Sequence, residues 1–283
     1  MSPQKGINID AIKQRLDALK KTNRKSDMIW KPTVQEQVIR IVPYKFNREN
    51  PFIELYFHYE LAGKTLLSPV SFGRPDPIME FAQKLKTSGD KENWKMGKKL
   101  EPKLRTFVPI IIRKKEQEGV KFWGFGKTVY EELLAHIADP EYGDITDVVS
   151  GRDIIVSSKK AEGQDYPKTN MRIRVNQTPI TDDKEIMKII VDSQIDISEL
   201  YEEKSYEELT SILKKHLNPE DAPEGKEAVS YSEDEEEVPD PDSVVEEEEA
   251  PKKPAPPKPP KPSTKPLDAG ELQDAFNAVF NEK

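Results

Sequence analysis

The chain has 283 residues, 35% hydrophobic and 34% charged, with a formal net charge of −8 and no cysteine. The lack of cysteine excludes disulfides, thiolate chemistry and cysteine-ligated zinc, and no run approaches the roughly 18 apolar residues of a membrane span. The net charge conceals a division: residues 1–180 carry 32 Lys+Arg against 23 Asp+Glu, a net of +9, whereas residues 181–283 carry 12 against 29, a net of −17. A basic body suits a polyanion. An acidic tail on the same chain competes for that surface or serves as a handle for basic partners. The start Met1-Ser2-Pro3-Gln4-Lys5 has no apolar h-region, so no signal peptide and an intracellular setting are expected.

In chain order, residues 8–22 read as a short amphipathic helix, with Ile9, Ile12, Leu16 and Leu19 on one face and Lys13, Arg15, Lys20 and Lys21 on the other. The run Lys20 to Ser26, with Arg24 and Lys25, is either a solvated helix end or an arm that docks on something acidic. Residues 34–42 and Phe52 to Glu60 are rich in β-formers, with Ala62-Gly63-Lys64 as a turn and Thr65-Leu66-Leu67 beyond it. Residues 77–87 read as a helix opened by Pro77, a favoured first-turn residue.

Thr106 to Ile112 and Val120 to Phe125 form a predicted hairpin around the charged turn Arg113 to Gly119; a helix follows over Thr128 to Ile137. Asp153 to Ser157 and Met171 to Val175 make a further strand pair. Several short strands with an inserted helix suit mixed β-structure with helices, an OB-fold-like β-barrel core elaborated by helical insertions. Helices return over Lys184 to Val191 and Tyr206 to Leu217, the second opened by a capping box of Ser205 and Glu208.

Residues 218–266 hold the acidic runs Glu233–Glu237 and Glu246–Glu249 and then a Pro/Lys-rich stretch, and read as a disordered linker. In the last segment, 267–283, Asp268 and Glu271 form an N-cap pair, and Leu272, Phe276, Val279 and Phe280 share a helical face. A helix this isolated is marginal in water. It reads as a peptide that folds into a partner's groove, or packs back on the body. The domain expectation is therefore an N-terminal basic arm over 1–30, a core over 31–217, a linker over 218–266 and a C-terminal partner-binding helix over 267–283.

No catalytic constellation stands out. His58, His136 and His216 lie in different elements, and no HExxH, P-loop or complete GxGxxG is present. Asp139, Glu141, Asp144 and Asp147 are either a divalent-ion cluster, which would suit a nuclease, or the polar residues of a loop around Pro140 and Gly143; the loop reading is preferred. No cofactor is expected.

Binding is better supported, because aromatic and basic residues interleave at separated places. These are Arg40 with Tyr44-Lys45-Phe46, Trp94-Lys95 with Lys98-Lys99, Lys103-x-Arg105-Thr106-Phe107, Lys121-Phe122-Trp123-Gly124-Phe125-Gly126-Lys127, and Tyr166-Pro167-Lys168. Aromatic rings stack on exposed bases and cations track phosphates. Period 2 places Trp123 and Phe125 on one face and Phe122 on the other, which leaves open which face is core and which is platform.

In their order along the chain these segments resemble the replicative single-stranded DNA-binding (helix-destabilising) proteins of T-even bacteriophages. Gln37-Val38-Ile39-Arg40-Ile41-Val42-Pro43 is similar to that family's first barrel strand. Lys103-x-Arg105-Thr106-Phe107 and Lys121 to Lys127 are similar to its basic–aromatic strands. Ile195 to Leu200 and Lys204 to Leu209 are similar to its closing helical segment.

The resemblance spans about residues 8–216. It implies an OB-fold body that coats single strands in phage replication, recombination and repair, in the cytoplasm of an infected bacterium, without catalysis or membrane association. It implies strand contacts at Arg40, Trp94, Lys98, Lys99, Lys103, Arg105, Phe107, Lys121, Trp123, Phe125, Lys127, Tyr166 and Lys168. It also implies an arm for cooperative self-association at Lys20, Lys21, Arg24 and Lys25, and an acidic tail that recruits replication and recombination proteins. The family's zinc, held by one His and three Cys, is not expected in a chain without cysteine; helix Pro77–Lys86, with Ile78, Phe81 and Leu85 inward, would stabilise that lobe instead. An RNA-binding regulator and an acidic interaction scaffold remain as alternatives.

Overall fold

A computed structural model describes residues 27–160 and 167–217, together with Lys13 and Lys25. The expected arm (apart from Lys13 and Lys25), the linker and the C-terminal helix with Leu272, Phe276, Val279 and Phe280 lie outside the described residues. The strands are β1 (Ile29–Trp30), β2 (Gln37–Ile41), β3 (Ile53–Leu61), β4 (Lys64–Leu67), β5 (Lys103–Ile112), β6 (Lys121–Phe125), β7 (Arg152–Lys159) and β8 (Lys168–Gln177). The α-helices are α1 (Pro77–Thr87), α2 (Lys91–Leu100), α3 (Lys127–Ala138), α4 (Lys184–Asp192) and α5 (Tyr206–Leu217). The described residues divide into two compact units, 27–53 with 106–160 and 167–201, and 54–105 with 202–217.

In the first unit the strand order is β1-β6-β5-β2-β7-β8. The short β1 is parallel to β6, and the remaining pairs are antiparallel. Val108-Pro109-Ile110-Ile111 of β5 is buried throughout, as expected of a central strand covered on both faces. On one face Trp30, Ile39, Ile41, Val108, Ile110, Trp123, Ile154 and Ile173 form a core with Val129 and Leu133 of α3. On the other, Val42, Ile111 and Val120 pack with Ile180 and with Ile186, Met187 and Ile190 of α4.

In the second unit β3 and β4 form an antiparallel hairpin, with Phe57 opposite Leu67. Its predicted turn holds Ala62 and Gly63 at φ of 51° and 71°. Helix α1 has Pro77 in its first turn and Asp76 as N-cap, whose carboxylate accepts from the amides of Ile78 (2.9 Å) and Met79 (3.2 Å). Its buried face, Ile78, Phe81, Ala82 and Leu85, packs with Leu61, Leu66, Leu100, Leu209 and Leu213. The capping box of α5 is reciprocal: Ser205 N donates to Glu208 at 2.8 Å, and Glu208 N donates to Ser205 Oγ at 3.2 Å.

Helix α2 is not evident in the sequence, because its lysine-rich run shows little apolar periodicity. Asp90 starts it by accepting from Glu92 N at 2.8 Å and Asn93 N at 2.9 Å, and Gly97 lets it lie close against α1. A Cβ at Gly97 would stand 2.6 Å from the Ala82 carbonyl oxygen and 2.8 Å from Lys86 Cγ.

Beneath these helices a buried polar clasp ties four segments together. His58 on β3 meets the Leu100 carbonyl through Nδ1 at 2.8 Å and the Asp76 carboxylate through Nε2 at 2.9 Å; Ser68 Oγ donates to the same carboxylate at 2.5 Å. Burial raises the Asp76 pKa, but the hydrogen bonds and charge of His58, with Ser68 and the Met79 amide, outweigh it and hold the carboxyl below its ordinary value.

Two measurements test this unit. Gly97→Ala should destabilise the protein by about 1–3 kcal/mol in denaturant unfolding, although alanine is the better helix former, because the extra methyl overpacks the α1–α2 contact. A carboxyl whose folded pKa is depressed contributes stability that is complete above its unfolded value, about 3.9, and is lost as pH falls through the folded value. The fall in stability below about pH 4 should therefore be shallower in Asp76→Asn than in the wild type.

Candidate nucleic-acid interface

On one face of the first unit's sheet, arginines gather round a buried carboxylate. Asp153 on β7 accepts from Arg113 Nε at 2.8 Å and lies 2.7 Å from Arg113 Nη2, 3.6 Å from Arg40 Nη1 and 3.9 Å from Arg174 Nη1. The two inner arginines also satisfy backbone carbonyls. Arg40 donates to Asp147 O at 2.6 Å, and Arg113 donates to Ile180 O at 2.5 Å and Pro179 O at 2.9 Å. Burial pulls the Arg40 guanidinium down to about 10 against the opposing pull of Asp153, which leaves it charged at neutral pH.

The loop that receives Arg40 is itself held. The Asp147 carboxylate sits below its ordinary range because the Ser150 amide and hydroxyl and the Val149 amide donate to it. A Cβ at Gly151 would collide with Arg40 Nη2 and stand 2.5 Å from Asp147 O, so only glycine fits.

From this hub the face continues along the β7–β8 hairpin. Alternation places Lys168, Asn170, Arg172 and Arg174 on one face of β8, a row of about 20 Å. Across the ladder stand Lys159 opposite Lys168, Ser157 opposite Asn170 and Ile155 opposite Arg172. Arg172 and Arg174 are 70% and 48% exposed, and one carboxylate, Glu36, approaches Arg172 at 3.9 Å. Directly opposed lysines destabilise a strand pair. Lys159 and Lys168 make such a pair, and Lys160 follows. A bound polyanion would reverse the sign of that interaction.

Several strand contacts implied by the resemblance are not on a surface. Arg40 is 0% exposed because it neutralises Asp153. Phe107 is buried and stacks on Tyr201 at 5.9 Å between ring centroids. Trp123 and Phe125 are both core, 4.6 Å apart, with Trp30 edge-on to Trp123 at 5.9 Å. Phe122 on the opposite face is buried as well, against Tyr44. Neither face of β6 is a stacking platform in this structure, because β6 lies between β1 and β5 with both sides covered.

Other predicted contacts are accessible to different degrees. Lys121 is half-buried and paired with Glu118 at 3.2 Å, whereas Lys127 is exposed, 3.6 Å from Glu131. Lys168 is exposed in the stripe described above. In the second unit Trp94 and Lys98 on α2 are half-buried, with Lys98 paired to Glu101 at 3.3 Å, and Lys99 is exposed; Lys103 and Arg105 are half-buried. Lys25 rests over the Tyr201 ring at 4.4 Å. Tyr166, Lys20, Lys21 and Arg24 lie outside the described residues.

Sequence reasoning passed over Arg172, Arg174, Lys159 and Lys160. The alternation Lys168-x-Asn170-x-Arg172-x-Arg174 holds the pattern that would have found the stripe, but a search for aromatic neighbours misses it.

The acidic loop residues serve turns. Asp139 accepts from Glu141 N, Asp144 from Thr146 N and Oγ1, and Asp147 as above; the described residues contain no group of three or more metal-ligating side chains. The zinc of the resembling family does not fit either: the chain has no cysteine, and both ring nitrogens of His58 are engaged by Leu100 and Asp76.

Removing Asp153 would leave Arg40 charged and buried without its partner. Asp153→Ala should cost about 3–5 kcal/mol in chemical denaturation.

A protein-family model described as "gp32 DNA binding protein like" matches residues 34–218. No curated protein matches the chain.

Proposed function

We propose a function from one premise: the chain belongs to the gp32-like DNA-binding protein family. The protein is a non-catalytic single-stranded DNA-binding protein that coats and protects exposed strands during phage replication, recombination and repair in the bacterial cytoplasm. The observation that carries this reading is the β7–β8 face, where four cations and an asparagine line one side of an edge hairpin and two lysines oppose each other directly. Such an arrangement costs stability in the free protein and gains it when phosphates bridge the charges. The exposed lysines of α2, Lys91, Lys95 and Lys99, with Trp94 beside them, supply a second cationic surface in the other unit.

In this reading the six-stranded sheet is an OB-type barrel. Support comes from its inner face, where residues of all six strands join one apolar cluster with α3. The run Lys20 to Ser26 mediates cooperative binding between neighbouring copies along the strand. The acidic tail after residue 217 recruits basic replication and recombination proteins, and in the absence of DNA it occupies the cationic surface. The division of charge, +9 against −17, supports that competition.

Affinity for oligo(dT), measured by anisotropy across salt concentrations, tests the reading. The plot of log K against log salt should be steep. Alanine at Lys159, Lys168, Arg172 or Arg174 should each reduce its slope by about 0.7, the value for one phosphate contact on a single strand. Deleting residues 218–283 should strengthen binding at low salt. Wild-type protein that ignores oligo(dT), or binds an RNA oligomer far better, would overturn the proposal.

A further inference from the structure

The loop Pro43–Asn50, which follows β2, carries the most exposed large aromatic side chain among the described residues, Phe46 at 52%. An exposed phenylalanine on a mobile loop would be unremarkable, but this loop is tied down at its start and closed by a turn of its own. Lys45 N donates to Gln194 Oε1 at 2.8 Å, and Gln194 Nε2 donates to Pro43 O at 2.9 Å. Buried Tyr44 donates its hydroxyl to Asp196 at 3.4 Å; burial, reinforced by Asp196, pushes that phenol up to about 12, so it remains a donor. Asn47 Oδ1 closes the turn by accepting from Glu49 N and Asn50 N, both at 3.2 Å. The Phe46 ring leans on Tyr44, 5.3 Å between centroids, and Lys45 Nζ lies over the Phe46 ring, 5.8 Å from its centroid.

Beside the loop lies a cavity of about 290 Å³, with Val148, Ile180, Met187 and Ile190 in its wall and Lys45 and Arg48 among its lining. Pockets for small molecules begin at about 300 Å³, so this space suits one flat ring system and is too small for a folded peptide. Its chemistry has three parts: an apolar wall, two cations, and an exposed aromatic face held rigidly beside them. A nucleotide presents the complementary parts, a planar base and an anionic phosphate.

We propose that this cavity seats one unstacked base of the bound single strand, with Phe46 stacking on the neighbouring base and Lys45 and Arg48 holding the phosphate between them. The site rests on the single-strand reading above and adds to the β7–β8 stripe a contact that reads bases rather than charge alone. Because the loop is held in place before binding, little ordering entropy opposes the stack. The apolar wall makes no base-specific hydrogen bond, so the seat accepts any base.

The test uses the full-length protein with labelled oligo(dT) and an abasic oligomer of equal length. Phe46→Ala should weaken oligo(dT) binding about tenfold, within the range for one stacked base, and Phe46→Tyr should restore it. Val148→Phe, which fills the cavity, should produce a similar loss, with circular dichroism and thermal midpoint checking that the fold is intact. Neither variant should change affinity for the abasic oligomer, whereas Lys45→Ala with Arg48→Ala should weaken both ligands and lower the salt slope by about 0.7, the value for the one phosphate they hold. Unchanged oligo(dT) binding in Phe46→Ala and Val148→Phe would overturn the base seat. So would equal losses on both oligomers, which would mark a charge or folding effect. If the wild type itself ignores oligo(dT), it is the single-strand reading that fails, and the base seat falls with it.

Discussion

The first unit is organised around one buried carboxylate. Asp153 sits on β7 where β2, β8 and the turn after β5 each send an arginine to it, and two of these, Arg40 and Arg113, reach on to the carbonyls of Asp147, Pro179 and Ile180. Four strands and two connecting segments are thereby tied together by ion pairs to Asp153 and by charge-assisted hydrogen bonds from Arg40 and Arg113, the stronger class of hydrogen bond. The arrangement also has an electrostatic consequence. Three guanidinium groups against one carboxylate leave the face positive, and the excess emerges where β8 becomes exposed at Arg172 and Arg174. The same residues that hold the sheet together therefore set the sign of its surface.

The second unit solves a different problem. Its small core is built from three helices and a hairpin. His58, Asp76 and Ser68 cross-link β3, the start of α1, the end of α2 and the segment before α1. Here Asp76 acts both as the helix cap and as the partner of the histidine, and Gly97 brings α1 and α2 into backbone contact. Hydrogen bonds inside a low-dielectric core are strong only when every member is satisfied, which is why one carboxylate accepting from a ring, a hydroxyl and two amides suffices.

Cation and aromatic functions are separated in this protein. Most aromatic residues close to basic ones in sequence are structural: Trp30, Phe107, Phe122, Trp123 and Phe125 are interior. Exposed cations stand apart from them, on β7–β8 and on α2 among other places.

The sequence by itself determined the element types, because they follow from local physics. Pro77 after Asp76, Ser205 three residues before Glu208, and the runs of β-formers through Ile53–Leu61 and Lys103–Ile112 each specify a conformation from neighbours alone. It determined the family as well, through the order of those segments, and the opposite charge of body and tail. Tertiary structure decided which residues face solvent. Alternation along β6 shows that Trp123 and Phe122 point opposite ways, but the strands and segments on both sides bury both, and those partners are distant in the chain. Arg40 looks like a surface cation until Asp153, 113 positions later, is found beside it. Helix α2 and Gly97 escaped notice because their reason is a close approach to α1, and such a contact leaves no periodicity in the sequence.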